Sequence, residues 1–543
     1  MVFGKHLSIL LWLYVCCASM SLIAQDNSGI VVEKWKTFEV SFNGPESGNP
    51  FKEIWLTAEF FKDNQTVKVN GFYDGQGVYK IRFMPQETGV WNYRTTSNYK
   101  LLTKKAGSFT CIAPSTDNHG PVKVWNTYNF QYADGKPYYP FGTTAYAWTH
   151  MANGVQEMTL ASLKKAGFNK IRMCVFPKNY DLVKEEPELY PYSIKEIITE
   201  PNGKEKKVWD FTQFNPAFFQ HLEKRIIELG KLGIEADLII FHPYDKGRWG
   251  FDEMPMEANI FYIKYLAARL ASFSNVWWSL ANEYDYVKSK TAADWEMLSK
   301  AVVAEDPYKH LCSIHGSTAK YIEYWKPEYT HVSIQDEAPV IHPGAASILR
   351  NAYYKPIVYD EVGYEGNLRH RWGRYSGEEM NHFIWQGVIA GTYVTHGESY
   401  LFKDNRDTIF WAKGGEFKGE SWKRVAFLKK IIEEGPGSVE FSDISRDFQT
   451  SSGGRGHYLV YFGKEMKDSW LVNIPAKNAA FAKPEAGERY KAEIIDTWNM
   501  TITPVKEIFR LGEVKDYRMY DESLKKIRLP LRPYLAIRLT KME

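Results

Sequence analysis

The sequence predicts an α/β protein: a (β/α)8 TIM barrel flanked by N-terminal and C-terminal antiparallel β-sandwich domains. Three observations predict it. Both ends of the chain carry short alternating strand patterns separated by turn residues. Between them, strand-like and helix-like segments alternate, and eight such units fit a closed ring better than an open sheet. At 543 residues the chain is also too long for one ordinary domain.

In chain order, residues 1–24 read as a signal peptide. Lys5 and His6 give a basic start, residues 7–18 are a short apolar run, and Leu22-Ile23-Ala24 precedes Gln25-Asp26. The expectation is export to the periplasm or cell surface, with no stable membrane insertion after cleavage. The residues before Cys16 are not the small ones of a lipoprotein signal.

Residues 25–113 form the first β-domain: segments 38–42 and 54–60 alternate as half-buried strands do, and shorter ones come after them around Asp74-Gly75. The breaker-rich stretch from Pro114 to Pro121 opens the barrel, residues 114–435. Its strands are expected at 139–143, 171–176, 234–241, 276–280, 311–314, 331–334, 356–359 and 391–394. Helices are expected at 157–165 and 218–232, each closed by a glycine, and at 260–273. Residues 178–208 read as a long loop over the cleft. Residues 436–543 return to strands, clearest at 457–462, 470–474 and 534–539, as a second small sandwich.

With 44% hydrophobic and 24% charged residues the composition is globular. A net charge of +3 gives no reason to invoke nucleic acid or an anionic membrane. The 18 Trp and 35 Tyr are numerous, and large cores and sugar-stacking platforms are equally open readings. Cys111, Cys174 and Cys312 have no metal-ligand spacing and read as free thiols; no cofactor is implied.

Functional residues of such barrels gather at the C-terminal ends of the strands. Two carboxylates emerge directly from apolar strands: Glu283 after the fourth, in Trp277-Trp278-Ser279-Leu280-Ala281-Asn282-Glu283, and Glu361 after the seventh, in Ile357-Val358-Tyr359-Asp360-Glu361. A charge leaving a buried strand is unusual unless used. Two facing carboxylates are what glycosidic cleavage needs, one protonated to release the leaving oxygen and one ionised. Asp360 and Glu365 are alternative partners if the strand register shifts.

At these residues the chain resembles the large clan of retaining (β/α)8 glycosidases that includes cellulases, mannanases and β-galactosidases. The resemblance implies Glu283 as acid/base, Glu361 as nucleophile and a carbohydrate substrate. It further implies Asn282 on the sugar 2-hydroxyl, Arg172 holding the nucleophile ionised, and His242 lining the cleft. The chain departs from the clan on the sixth strand, where Gln335 stands in for an expected tyrosine. It departs again on the eighth, where His396 and Glu398 replace a tryptophan. The whole chain is also similar to a three-part group of bacterial glycosidases with an apiosidase-like barrel, through Gly71-Phe72-Tyr73-Asp74-Gly75, Phe241-His242-Pro243-Tyr244-Asp245 and Trp411-Ala412-Lys413-Gly414-Gly415.

His315, His396 and Glu398 read as sugar contacts, or with His242 as a metal site. Trp148, Tyr146, Tyr244, Trp249 and Trp411 read as stacking platforms or as packing. The overall expectation is an exported retaining glycosidase. The alternatives are a non-catalytic carbohydrate-binding protein and a metal-dependent barrel hydrolase.

Overall fold

The computed structural model describes residues 29–543 apart from 202, 204, 319, 321, 338–342, 402–408, 436–438, 442–448, 453–455 and 477–483. The expected leader, with Cys16 and Cys17, lies outside the described residues.

Two sheets face each other at the N-terminus. Phe38–Asn43, Phe72–Tyr73 and Val78–Phe83 make one. Val31–Glu33, Leu56–Lys62, Gln65–Asn70, Gly89–Ser97 and Ala106–Ile112 make the other. The strict alternation of buried and exposed residues along Phe38–Asn43 turns Phe38, Val40 and Phe42 inward. Rings from the two sheets then stack, Phe38 on Phe109 at 4.1 Å and Phe60 on Phe83 at 4.2 Å between centroids.

Eight parallel strands come next. We number them β1 (Gly142–Thr144), β2 (Lys170–Cys174), β3 (Glu235–Phe241), β4 (Val276–Ala281), β5 (Cys312–Ser313), β6 (Val332–Gln335), β7 (Ile357–Glu361) and β8 (Tyr393–Val394). β1 to β5 pair in chain order in one sheet, and β6 to β8 in another. Single parallel bridges join the two sheets at both seams, His315 to Ser333 beyond β5 and Thr143 to His396 beyond β8. β2, β3, β4 and β7 are buried along their whole length, as strands covered on both faces must be. The intervening helices include α1 (Asn153–Ala166), α2 (Pro216–Lys231) and α3 (Met256–Leu270). α1 stops at Gly167, whose φ of 73° a side chain would strain. α2 starts where the Asn215 side chain accepts from the Ala217 N–H, with Pro216 at the first helical position.

Two segments differ from the sequence expectation. The expected loop at 178–208 contains a strand, Tyr192–Thr199, paired antiparallel with Glu205–Phe214. Most of Tyr192–Thr199 is exposed, so no buried face imposed an alternating pattern on it. Ahead of β1, Val122–Trp125, Asn129–Tyr132 and Pro137–Tyr138 form a small sheet. It packs Phe130 against Trp277, His331 and Tyr393 at the end of the strands opposite the carboxylates.

The C-terminal strands form a nine-stranded sheet and a two-stranded one around Val460, Val472, Ile474 and Ile537. They reach the central unit through Tyr461, stacked on Trp385 and bonded to the His382 ring at 2.9 Å.

The N-terminal sheets join the central unit through buried charge. Arg82 bonds Glu223 of α2 at 2.9 Å, and Arg269 of α3 bonds Asp74 at 2.7 Å and also Glu223. Glu223→Ala leaves two buried guanidinium groups short of an anion. It is expected to lower stability by about 3–5 kcal/mol, read as an earlier denaturant midpoint. An unchanged midpoint would show that this junction contributes nothing.

Candidate active site

Glu283 and Glu361 line one cavity of about 220 Å3 at the C-terminal ends of β4 and β7. Their surroundings differ. Glu283 accepts a hydrogen bond from the Tyr244 hydroxyl and stands beside Gln335. Burial, and then the charge of Glu361, push its carboxyl up to about 7, against the opposing effects of Tyr244 and Lys178. Its backbone is left-handed, φ 43° and ψ 52°, an uncommon conformation for a residue with a side chain.

Glu361 takes a hydroxyl on each oxygen, one from Tyr146 and one from Tyr364 at 2.8 Å. Tyr364 is only three residues further along the chain. Gly363, at φ 93°, reverses the backbone so that the ring can return. A Cβ at Gly363 would lie 2.1 Å from the Tyr375 ring, and one at Gly397 would lie 1.9 Å from the Tyr364 ring. Burial keeps the phenol protons on Tyr146, Tyr244 and Tyr364, so all three act as donors here.

Beneath the cavity, Arg172 donates to the Asn282 amide oxygen at 2.7 Å and pairs with Asp360 at 2.9 Å. The Asn282 amide nitrogen in turn donates to the Tyr244 hydroxyl at 2.8 Å. Asn282 is fully buried with both amide atoms occupied, and it does not line the cavity. Arg172 acts on Glu361 through space, without a direct bond.

The other sequence candidates divide. Tyr244, Gln335 and Trp411 line the cavity, with the Gln335 amide donating to Thr318 at 3.1 Å. The Trp411 indole nitrogen is buried without a partner. Trp148 lies in the core below, its indole on the Met173 sulfur at 3.4 Å. His242 lies outside the cavity wall: one ring nitrogen accepts from the Tyr244 N–H and the other meets the Phe176 carbonyl, which fixes the tautomer. His396 is bonded to Thr143 and Ser421. Glu398 accepts from the Lys418 and Gly419 N–H groups, and burial raises it to about 7. His315 is fully buried, with neither ring nitrogen bonded. Among the described residues no three His, Cys, Asp or Glu side chains converge as a metal site. His242 and His396 are already committed to protein partners.

Sequence reasoning missed Lys178, Tyr180, Tyr364, Arg371 and Trp372 on the cavity wall. Lys178 lies four residues beyond β2. The rule that singles out Glu283 and Glu361, a charged side chain just past a buried strand, would have found it too.

Comparison with known proteins places this geometry. Residues 125–437 match the model of the apiosidase-like catalytic domain, more than half of the chain. The chain belongs to the apiosidase-like family. It is therefore a glycoside hydrolase, and its substrate is a carbohydrate. Residues 31–98 and 447–540 match two domains of unknown function, DUF5060 and DUF5605. A candidate glycoside hydrolase from Bacteroides vulgatus ATCC 8482 is 56% identical over 94% of this chain and 100% of its own, with a TM-score of 0.92. A family 5 glycoside hydrolase from the same strain shares the fold. It has a TM-score of 0.56 at 14% identity, over 78% of this chain and 93% of its own. No curated protein matches.

In this apiosidase-like site the Tyr244 hydroxyl favours the ionised form of Glu283. The expected infrared titration of the wild type contains a carboxyl band that disappears near pH 7. Glu283 and Glu398 both contribute to it; in Tyr244→Phe the Glu283 part moves to higher pH, and in Glu283→Gln only the Glu398 part remains. A band of undiminished amplitude in Glu283→Gln would show that Glu283 does not titrate there.

Proposed function

We propose that the eight parallel strands close into a (β/α)8 barrel between two β-sandwich domains, at about residues 114–435, and that the protein is an exported, retaining glycosidase. The two single bridges, His315 to Ser333 between β5 and β6 and Thr143 to His396 between β8 and β1, support the ring. The basic and apolar start of the chain supports export.

The observation that carries the mechanism is the asymmetry of the two glutamates in one cavity. Glu283 holds its proton up to about pH 7, while Glu361 presents its oxygens to two hydroxyl donors. This is the division of labour that two-step glycoside cleavage requires. In the first step a Glu361 oxygen bonds to the anomeric carbon, the glycosidic C–O bond breaks, and the leaving oxygen takes the Glu283 proton. In the second, Glu283 removes a proton from water, which attacks the anomeric carbon and releases Glu361. Tyr244, Asn282 and Arg172 fix Glu283 from behind; Tyr146 and Tyr364 fix Glu361. Trp411 and Trp372 offer ring faces to a sugar.

Four outcomes are expected in a screen of aryl glycosides. Glu361→Gln falls to background. Glu283→Ala loses about 10²–10⁴-fold on poor leaving groups and far less on activated ones. kcat/KM falls as pH rises through about 7, because the acid must carry its proton. The first product seen by NMR keeps the anomeric configuration of the substrate. An inverted first product overturns the double displacement, and equal losses in both variants on activated substrates overturn the assignment of roles.

A further inference from the structure

Lys178 has no task in the mechanism above, yet it occupies the middle of the site. It is 2% exposed and lines the cavity. Its ammonium lies 4.1 Å from the centre of the Tyr146 ring, 4.0 Å from that of Tyr244 and 4.7 Å from that of Trp411. Among the described residues it makes no ion pair or hydrogen bond, so its contacts with protein are ring faces. The two nearest rings are the ones that matter: Tyr146 donates to Glu361 and Tyr244 donates to Glu283. The cation is centred between the donors of the two catalytic carboxylates.

We propose that Lys178 is a positioning residue, a fixed positive charge that serves Glu361 in the first half of the reaction and Glu283 in the second. This rests on the reading of that pair as nucleophile and acid/base. Before cleavage the negative charge is on Glu361 and Glu283 is neutral. When Glu361 bonds to the anomeric carbon and the leaving oxygen takes the Glu283 proton, Glu361 becomes a neutral ester and Glu283 a carboxylate. One unit of negative charge has crossed the cavity. A cation tied to either carboxylate would stabilise one state at the expense of the other. One held on ring faces, at nearly equal distance from the Tyr146 and Tyr244 rings that donate to the two carboxylates, is bonded to neither and needs no rearrangement between steps. Arg172 cannot supply this, because its guanidinium is bonded to Asp360 and Asn282.

The groups acting on Lys178 are consistent with that role. Burial lowers its ammonium to about 8, and the charges of Glu361 and Glu283 act against that; the adjacent Cys174 thiol is pushed up to about 12 by burial and stays neutral. Lys246 adds a like charge, and the neighbouring His242 is itself lowered to about 3 by burial and so stays neutral. With Glu283 protonated, Glu361 ionised and Lys178 charged, these three groups sum to zero before and after the first step.

The test is the pH dependence of kcat/KM in Lys178→Met and Lys178→Arg. Removing a positive charge favours the protonated form of both carboxylates, so in Lys178→Met the acid and alkaline limbs should both move to higher pH, by roughly one unit. Lys178→Arg should bring both back towards the wild type. A folded Lys178→Met enzyme with slower turnover and unmoved limbs overturns the proposal and makes Lys178 a packing or sugar-contact residue. If Lys178→Met does not fold, the wild type answers. With 15N-labelled lysine, the Nζ resonance missing from Lys178→Arg should step at the pH where Glu283 titrates, and the step should vanish in Glu283→Gln. A flat resonance overturns the proposal. Failure of the catalytic reading is separate: it would appear as activity surviving Glu361→Gln.

Discussion

A buried quartet of charges lies under everything the site does. Lys170 and Arg172 of β2 face Asp237 of β3 and Asp360 of β7, with Lys170 at 2.9 Å from Asp237 and 2.7 Å from Asp360. None of the four is more than slightly exposed. Burial pushes the Asp360 carboxyl up, but Arg172 and Lys170 outweigh it and hold the group far below the usual carboxylate range. Such charges are tolerated inside a protein only as a balanced, bonded set. Both glutamates hang from that set: Asp360 precedes Glu361 in β7, and Arg172 grips Asn282, which precedes Glu283. A geometry that must be kept within a fraction of an ångström is thus anchored in strands that cannot shift without exposing bare charge to an apolar interior.

The same chemical group is held in two different surroundings, and in both the groups bonded to it are neutral. The charge pairs that anchor the strands lie below the cavity, and among the described residues neither glutamate takes part in an ion pair with a cation, although Arg371 and Glu337 pair on the cavity wall at 2.8 Å. In the cavity, three tyrosine hydroxyls contact the two carboxylates, and the turn at Gly363 with the bare backbone at Gly397 makes room for one of those rings. A phenol can orient a carboxylate without cancelling its charge, which suits groups that must gain and lose bonds during a reaction.

Much of this was legible in the sequence. Strands buried on both faces read as uninterrupted apolar runs, and a carboxylate at the end of such a run stands out, so Glu283 and Glu361 are visible from the order of residues alone. Glycine stops placed α1 and α2. Other features were hidden for physical reasons. Tyr192–Thr199 faces solvent and therefore carries no burial rhythm. Tyr364 reaches Glu361 only through a backbone reversal, and sequence spacing does not encode the direction of a ring. Lys178 stands just past a buried strand and was open to the same rule, but the rings that enclose it, Tyr146, Tyr244 and Trp411, follow β1, follow β3 and lie more than two hundred residues away, so its role could not be read locally. Trp148 and the histidines were placed at the right end of the strands, but three-dimensional neighbours decide whether a side chain there faces the cavity or the packing behind it. Asn282 likewise could not be seen to have both amide atoms already engaged.

The left-handed backbone at Glu283 has an evolutionary reading. A residue with a side chain is disfavoured there by roughly 1–2 kcal/mol relative to the right-handed conformation, while glycine or asparagine adopts it with little strain. The fold keeps an acid at a position where glycine or asparagine would be less strained. On the proposed role of Glu283, descendants released from selection for cleavage have a downhill route at this codon, towards a sturdier protein that still presents an aromatic-lined cavity but cuts nothing. Glycan receptors can arise from enzymes of this architecture by a gain in stability, and screening variants of this chain for heat resistance alone would follow the same slope.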